Sequence, residues 1–333
     1  RGHDLHSGFD WFGSGVAAAG DFDGDARDDL VVVARFEDQP APATFDDTYV
    51  VSATCARTRN NPGAAFVYRG RAGGRLPLNS PDFILFGPWD NSGIDTVAGG
   101  GDFDGDGRTD LVVGVDDATD GSGARTGGVA IYPGRDRGLG LTVVECAPDA
   151  EIFGAEDGSD FGAAIAHLGD LDGDGCGEIG IGAPRADPGL RDGGTLTVVW
   201  GAGGAGCPAS PGFTVLAGTS NFGNFGSAVA GGVDLDGDGR PEVVVGEPRA
   251  ENPERVGALR VISGRALADL PRGRDAGATP VPVGAVAGGW RVFSSTVDGR
   301  FGQSVAVGTE AGRGFIAVGE PRDRTRPRTA ATD

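Results

Sequence analysis

Four short acidic segments carry the residue types that could do chemistry in this chain. They read DFDGDARDD over residues 21–29, DFDGDGRTD over 102–110, DLDGDGCGE over 170–178 and DLDGDGRPE over 234–242. Each sets a carboxylate at loop positions 1, 3, 5 and 9. These are Asp21, Asp23, Asp25 and Asp29; Asp102, Asp104, Asp106 and Asp110; Asp170, Asp172, Asp174 and Glu178; and Asp234, Asp236, Asp238 and Glu242. Hard oxygens at alternate positions, wrapped by glycines, suit a Ca2+ ion with its roughly six to eight ligands. Four carboxylates that close repel one another, and a cation would offset the repulsion. A single copy could be an acidic surface turn. Four copies in register, each running into an apolar strand, argue for four Ca2+ sites. An EF-hand is excluded, because it needs a Glu at position 12 and flanking helices. Position 12 here is Val32, Val113, Ile181 or Val245, inside a strand pattern.

The elements that must position these loops repeat with them. Upstream lies a small-residue strand, often opened by Phe-Gly: FGSGVAAAG from Phe12, SGIDTVAGG from Ser92, FGAAIAHLG from Phe161 and FGSAVAGGV from Phe225. Downstream come LVVVA, LVVGV, IGIGAP and VVVGEP, then a third strand such as GAAFVYRG or GTLTVVWG, and a fourth such as DFILFG or FTVLAG. A fifth unit opens with FGQSVAVG at Phe301, but its loop, TEAGRG, lacks the carboxylates. Unit starts are 80, 69, 64 and 76 residues apart. Four antiparallel strands per unit describe a propeller blade, and one such sheet must stack on neighbours to bury both faces. The expectation is an all-β β-propeller forming one domain over residues 1–333. Its units are 12–91, 92–160, 161–224, 225–300 and a partial 301–333. Phe22, Phe103, Leu171 and Leu235, at loop position 2, should anchor the loops to the core. Trp89, Trp200 and Trp290 read as blade packing.

Charge and composition narrow the class. The balance is 28 basic against 48 acidic residues, −20 in all, and the loop positions hold 16 of those carboxylates. Four Ca2+ would return eight charges, leaving about −12, so much of the acidity belongs to the loops. The chain has no Lys and its Arg residues are scattered, which argues against a nucleic-acid partner. Glycine, 63 of 333, falls at turn positions between apolar runs and indicates many short strands. No apolar run approaches the length of a membrane span, so no membrane insertion is expected. The chain starts at Arg1 and reads as a trimmed product. Calcium loops and four cysteines suit an extracellular or cell-surface setting.

Phe-Gly, then D-x-D-G-D-x-x-x-[DE], then Gly182-Ala183-Pro184, Gly246-Glu247-Pro248 or Gly319-Glu320-Pro321 resembles the FG-GAP repeat of integrin α-subunit propellers. The resemblance covers nearly the whole chain. It implies Ca2+ held by the sixteen carboxylates above and by the position-7 backbone carbonyls of Arg27, Arg108, Cys176 and Arg240. It also implies a ligand face opposite the ions. On that face residues 35–62 form the longest loop, with Phe36, Phe45, Asp46, Asp47, Tyr49 and Cys55. Two departures stand out. Ala26 replaces the glycine found at 107, 175 and 239, so a positive φ there would cost roughly 1 kcal/mol and weaken the first site. Related propellers usually have seven blades, and here there are four units and a half. Either further strands lie outside this chain or residues 1–11 supply one, since an open arc leaves strand edges exposed. Of the three disulfide connectivities, the one with Cys176–Cys207 is preferred, because both residues fall on one face of one blade. A Cys55–Cys146 bridge looks too long, because the two fall on opposite faces.

Enzyme signals are weak. GAGGAG over 201–206 follows a strand, but CPASPG follows it where a dinucleotide site needs a helix. His3 and His6 lie near the terminus, and His167 sits in a small-residue strand. The leading expectation is a non-catalytic Ca2+-binding propeller with a protein ligand or assembly partner. The alternatives are a carbohydrate-binding lectin, a structural spacer, and a calcium-dependent polysaccharide lyase. The upper loops show no repeated aromatic-plus-polar set of the kind a lectin would present.

Overall fold

The structure, a computed structural model, describes residues 11–56, 58–72, 80–136, 141–250, 256–294 and 300–321. His3 and His6 lie outside the described residues. The chain is built from strands that rise and fall in sequence. Unit 1 holds β1 (Phe12–Gly20), β2 (Asp29–Ala34), β3 (Tyr49–Val51), β4 (Ala64–Tyr68) and β5 (Phe83–Phe86). Unit 2 holds β6 (Thr96–Gly101), β7 (Asp110–Val115), β8 (Gly128–Tyr132), β9 (Thr142–Glu145) and β10 (Ala150–Phe153). Unit 3 holds β11 (Ala164–Gly169), β12 (Glu178–Ala183), β13 (Thr195–Val199) and β14 (Phe213–Ala217). Unit 4 holds β15 (Ala228–Val233), β16 (Glu242–Glu247), β17 (Ala258–Ser263), the short helix α1 (Gly264–Ala268), β18 (Val281–Pro282) and β19 (Trp290–Phe293). Unit 5 is the hairpin β20 (Ser304–Glu310) and β21 (Arg313–Gly319).

The fold is all-β, with four antiparallel blades of four strands and a two-stranded fifth. Their orders are β1-β2-β4-β5, β6-β7-β8-β10, β11-β12-β13-β14, β15-β16-β17-β19 and β20-β21. The innermost strands pack in series, β1 on β6, β6 on β11, β11 on β15 and β15 on β20. Their runs of Gly and Ala allow that approach. Large apolar residues of strands 2 to 4 fill the space between blades. Val31, Val33 and Leu85 meet Leu111 and Tyr132, Ile131 and Val112 meet Ile181 and Phe213, and Leu196 and Trp200 meet Val245 and Ile262. The face of unit 4 toward unit 5 is thinner, with Val244, Leu259 and Val261 against Ile316 and Val318. Trp200 is buried in this packing, Trp89 stacks edge-on to Phe153, and Trp290 stays exposed.

Two loop segments leave their own units. β9 pairs in parallel with β5 and with β3, so both extend the outer edge of blade 1. Residues of the 35–62 loop then close over blade 1, where Phe45, Tyr49 and Cys55 pack with Phe66 and Ile84. This arrangement corrects the disulfide expectation. Cys55 and Cys146 are bonded, with Cα atoms 4.9 Å apart. β3 and β9 run parallel, so Cys55 and Cys146, each just past the C-terminal end of its strand, arrive at the same end of the blade 1 edge. Cys176–Cys207 is also formed, with Cα atoms 5.9 Å apart.

Candidate metal centres

Each acidic loop joins the first and second strands of a unit, and its backbone folds around its own carboxylates. The position-1 carboxylate accepts hydrogen bonds from two or more backbone N–H groups later in the loop. Asp21 takes them from Asp25 and Ala26 at 2.7 and 2.9 Å. Asp102 takes them from Asp106 and Gly107 at 3.0 and 2.8 Å. Asp234 takes them from Gly237 and Gly239 at 2.7 and 2.9 Å, and Asp170 from Gly173 and Gly175. The position-3 carboxylates of Asp23, Asp104, Asp172 and Asp236 each accept from the N–H two residues on, at 3.0 to 3.2 Å. Ligand atoms of Asp21, Asp23 and Asp25 lie within 4.8 Å of one another, as do those of Asp102, Asp104 and Asp110, of Asp170, Asp172 and Glu178, and of Asp234, Asp236, Asp238 and Glu242. All four carboxylates gather their oxygens only in the fourth loop, whereas Asp29, Asp106 and Asp174 stay outside the clusters of theirs.

Position 9 does two jobs. Asp29 accepts from Phe22 N–H at 3.1 Å and from Gly70 N–H at 2.9 Å. Asp110 accepts from Phe103 and Gly134 at 2.6 and 2.9 Å, and Glu178 from Leu171 and Gly201 at 2.6 and 3.3 Å. The carboxylate thus ties loop position 2 to the end of the third strand. In the fourth loop Leu235 N–H reaches Glu242 at 2.6 Å, and Glu242 Oε1 is buried with no hydrogen-bond partner. Burial pushes Asp29 up to about 6, Asp110 to about 7 and Glu178 to about 8, and raises Glu242 as well. Ionised, these groups need a cation nearby.

The loops also touch one another. The position-8 N–H of Thr109 donates to Asp21 O at 3.1 Å, and that of Gly177 to Asp102 O at 2.6 Å. Pro241 occupies position 8 of the fourth loop and has no N–H to give. The position-7 residue of each loop drapes over the position-4 glycine of the loop before it. A Cβ at Gly24 would lie 2.8 Å from Arg108 Nε, one at Gly105 3.5 Å from Cys176 Sγ, and one at Gly173 2.0 Å from Arg240 Nη2. In the first three loops the D-G-D glycine is therefore a packing requirement between blades as well as a turn residue, while a Cβ at Gly237 of the fourth would meet nothing. GAGGAG belongs to the same contact, with Ala202 N–H donating to Phe103 O at 3.0 Å. No helix follows it.

Position 6 separates the first loop from the rest. Gly107, Gly175 and Gly239 have φ of 91°, 91° and 87°, whereas Ala26 has 66°. A Cβ confines an L-residue near the left-handed minimum, and glycine is free to go further. In loops 2 to 4 the next N–H donates to the position-5 carboxylate at 2.8 to 2.9 Å. In loop 1 Asp25 Oδ1 is buried without a partner. Loose oxygens such as this one and Glu242 Oε1, in all-oxygen donor sets, fit a hard divalent cation.

The FG-GAP repeat family model matches residues 225–261, which hold β15, the fourth acidic loop and β16. The chain is 35% identical over 153 residues to integrin alpha-5 of Xenopus laevis, covering 44% of this chain and 14% of that protein. It is 34% identical over 151 residues to integrin alpha-IIb of Homo sapiens, covering 44% and 14%. Residues 225–261 are an FG-GAP repeat, and the chain is similar to integrin α subunits. The matched stretch spans about a seventh of the length of these integrins. It is also 30% identical over 230 residues to phosphatidylinositol-glycan-specific phospholipase D of Rattus norvegicus, covering 68% of this chain and 26% of that enzyme.

Where unit 2 departs from the FG-GAP pattern, the structure places a cluster that the motif search did not find. Asp95 stands where the other units have Gly13, Gly162, Gly226 and Gly302, and Asp116 stands where Pro184 and Pro248 follow the second strand. Oxygens of Asp95, Asp116 and Asp117 lie within 4.8 Å of one another, at the end away from the acidic loops. Arg35 pairs with Asp95, and Arg125 pairs with Asp117 at 2.6 Å. Burial, then the charge of Asp116, raises Asp95 to about 7. The missing glycine was the signal. His167 lies against Gly101, its Nε2 3.2 Å from Asp110 O, and burial lowers it to about 4. Among the described residues, no helix is long and apolar enough to cross a membrane.

Proposed function

We propose that this chain is a non-catalytic, calcium-stabilised extracellular propeller module that binds a protein ligand or assembly partner, as in adhesion. The observation that carries the reading is the run of four acidic loops, each clustering carboxylates, the first two hydrogen-bonded to the loop that follows. Ca2+ would be held by the position-1, 3, 5 and 9 carboxylates with the carbonyls of Arg27, Arg108, Cys176 and Arg240. It would supply the positive charge that these oxygens lack. Its binding energy would then be folding energy for the junctions between blades. The residues 1–333 act as one domain in this reading, with the loops as its girdle.

The opposite end is free to bind. By analogy with the integrin relatives the ligand would sit there, and fold-level analogy alone supports that step. The long 35–62 loop gives its apolar residues to capping blade 1 and leaves Asp47 exposed, while Asp46, also exposed, accepts from Thr48 N–H at 3.0 Å. Residues that a polysaccharide-processing site would use are committed elsewhere. Tyr68 and Tyr132 are buried, Tyr132 donating to Phe86 O at 2.7 Å, and His167 is half-buried against the second loop. The test is a parallel screen of the folded protein in millimolar Ca2+ on immobilised extracellular proteins and on a glycan array. Calcium-dependent protein hits with a blank glycan array are expected. Glycan hits without protein hits would replace this reading with the lectin one.

A further inference from the structure

The third acidic loop differs from the others in what already neutralises it. Residues 264–289 of unit 4 form a strap that crosses onto blade 3. Gly273 and Phe213 exchange backbone hydrogen bonds at 2.7 and 3.2 Å, Thr214 Oγ1 donates to Pro271 O at 3.2 Å, and β18 pairs with β14. The strap brings Arg272 over the Trp200 ring, 3.7 Å from its centroid, and Arg272 Nη2 donates to Asp172 Oδ2 at 2.6 Å. Trp200 is itself fixed, its Nε1–H donating to Thr214 Oγ1 at 2.9 Å.

Asp172 is the position-3 carboxylate. Its Oδ1 accepts the N–H of Asp174, as the equivalent oxygens do in every loop. The outward oxygen is the one a cation would take, and here the guanidinium holds it. In the second loop no ion pair reaches Asp104 among the described residues. In the first, Arg69 Nε stays 3.8 Å from Asp23. Arg265 reaches Asp238 in the fourth loop, but its side chain is 62% exposed and has no ring beneath it, whereas Arg272 is 32% exposed and stacked.

We propose that Arg272 is a tethered counter-cation of the third loop, so that Ca2+ binding there and docking of the strap on Trp200 oppose each other. This rests on the calcium reading of the loops. A divalent ion at Asp172 must displace the guanidinium or bear its charge at close range, which weakens the site relative to the second loop. By reciprocity, filling the site loosens the strap. The third loop thereby reports ion occupancy to the junction of units 3 and 4.

The experiment is a Ca2+ titration of the full chain by calorimetry and Trp emission, for wild type, Arg272→Gln, Arg272→Lys and Trp200→Phe. Wild type should show one binding step accompanied by a Trp200 emission change, which Trp200→Phe abolishes. Arg272→Gln should tighten that step about tenfold, the worth of one charge-assisted hydrogen bond, and remove its emission change. Arg272→Lys, which keeps the charge but loses the planar stack on Trp200, should fall between. Tenfold weakening or no change in Arg272→Gln, with Ca2+ still bound, would overturn the proposal and leave the loop reading standing. No heat of Ca2+ binding in any protein would overturn both.

Discussion

Replacing Glu178 with Gln should stabilise the protein without metal and destabilise it with metal. Glu178 is fully buried, and burial lifts its carboxyl from the usual 4.5 to about 8. Between those values the folded protein keeps a proton that the unfolded chain has released. Stability of the metal-free protein therefore falls as pH rises through that window. At about 1.4 kcal/mol per pH unit, holding that proton costs about 3 kcal/mol at pH 7 relative to pH 4.5. Asp29 and Asp110 add to the slope in the same sense. Glu178→Gln removes the charge but offers one acceptor oxygen where the carboxylate receives both Leu171 and Gly201. That loss costs about 1 kcal/mol. In EDTA at pH 7 the variant should gain about 2 kcal/mol, and near pH 4.5, where only the lost hydrogen bond remains, it should be about 1 kcal/mol less stable than wild type. In Ca2+ the sign reverses, because the cation favours the ionised form and the variant has lost a ligand. Urea denaturation in both media at the two pH values measures this. A variant less stable than wild type in EDTA at pH 7, or a wild type whose EDTA stability climbs with pH, would refute the reasoning.

Ala26→Gly should let φ at position 26 relax toward the 90° range of its counterparts and return an N–H to Asp25. The first Ca2+ step should then tighten by about fivefold in calorimetry, an effect of one modest hydrogen bond, and an unchanged step would contradict it. Thr109→Pro copies Pro241 into the second loop and removes the bond to Asp21 O. With the Thr109 Oγ1 bond to Ala19 O lost as well, it should cost about 2 kcal/mol in urea denaturation and weaken the first site more than the fourth. Cys55→Ser with Cys146→Ser opens a 91-residue loop. The loss should be about 4.6 kcal/mol by the chain-entropy account, read as a lower urea midpoint. A loss below about 1 kcal/mol would mean the cap over blade 1 holds without its staple.

Much of the architecture was readable because repetition separates pattern from accident. Four matched segments placed the first, second, third and fourth strands, and the β-branched runs after each loop mark the buried second strands. The φ of Ala26 followed from comparing one position across four copies. What could not be read were the crossings between units. LTVVE at 141–145 and TYVV at 48–51 look like minor strands of their own units. Only their pairing on the edge of blade 1 shows why Cys55 can reach Cys146. The glycine at loop position 4 reads as a turn residue, and its second cause, the side chain of the next loop, is tertiary. The Arg260–Glu247–Arg291 contacts under unit 4, at 3.2 and 2.6 Å, had no signal beyond the Glu in Gly-Glu-Pro. Asp95 was visible as a departure from Phe-Gly, but its pairing with Arg35 joins different units.

The most direct test of the calcium account is to count the metal and melt the protein with and without it. The chain is dialysed against millimolar Ca2+, rinsed of free ion and assayed by mass spectrometry. Its thermal transition is then compared in Ca2+ and in EDTA. The account predicts four Ca2+ per chain and a transition markedly lower in EDTA, restored on adding Ca2+ back. No bound Ca2+, with the same transition in both buffers, would contradict it.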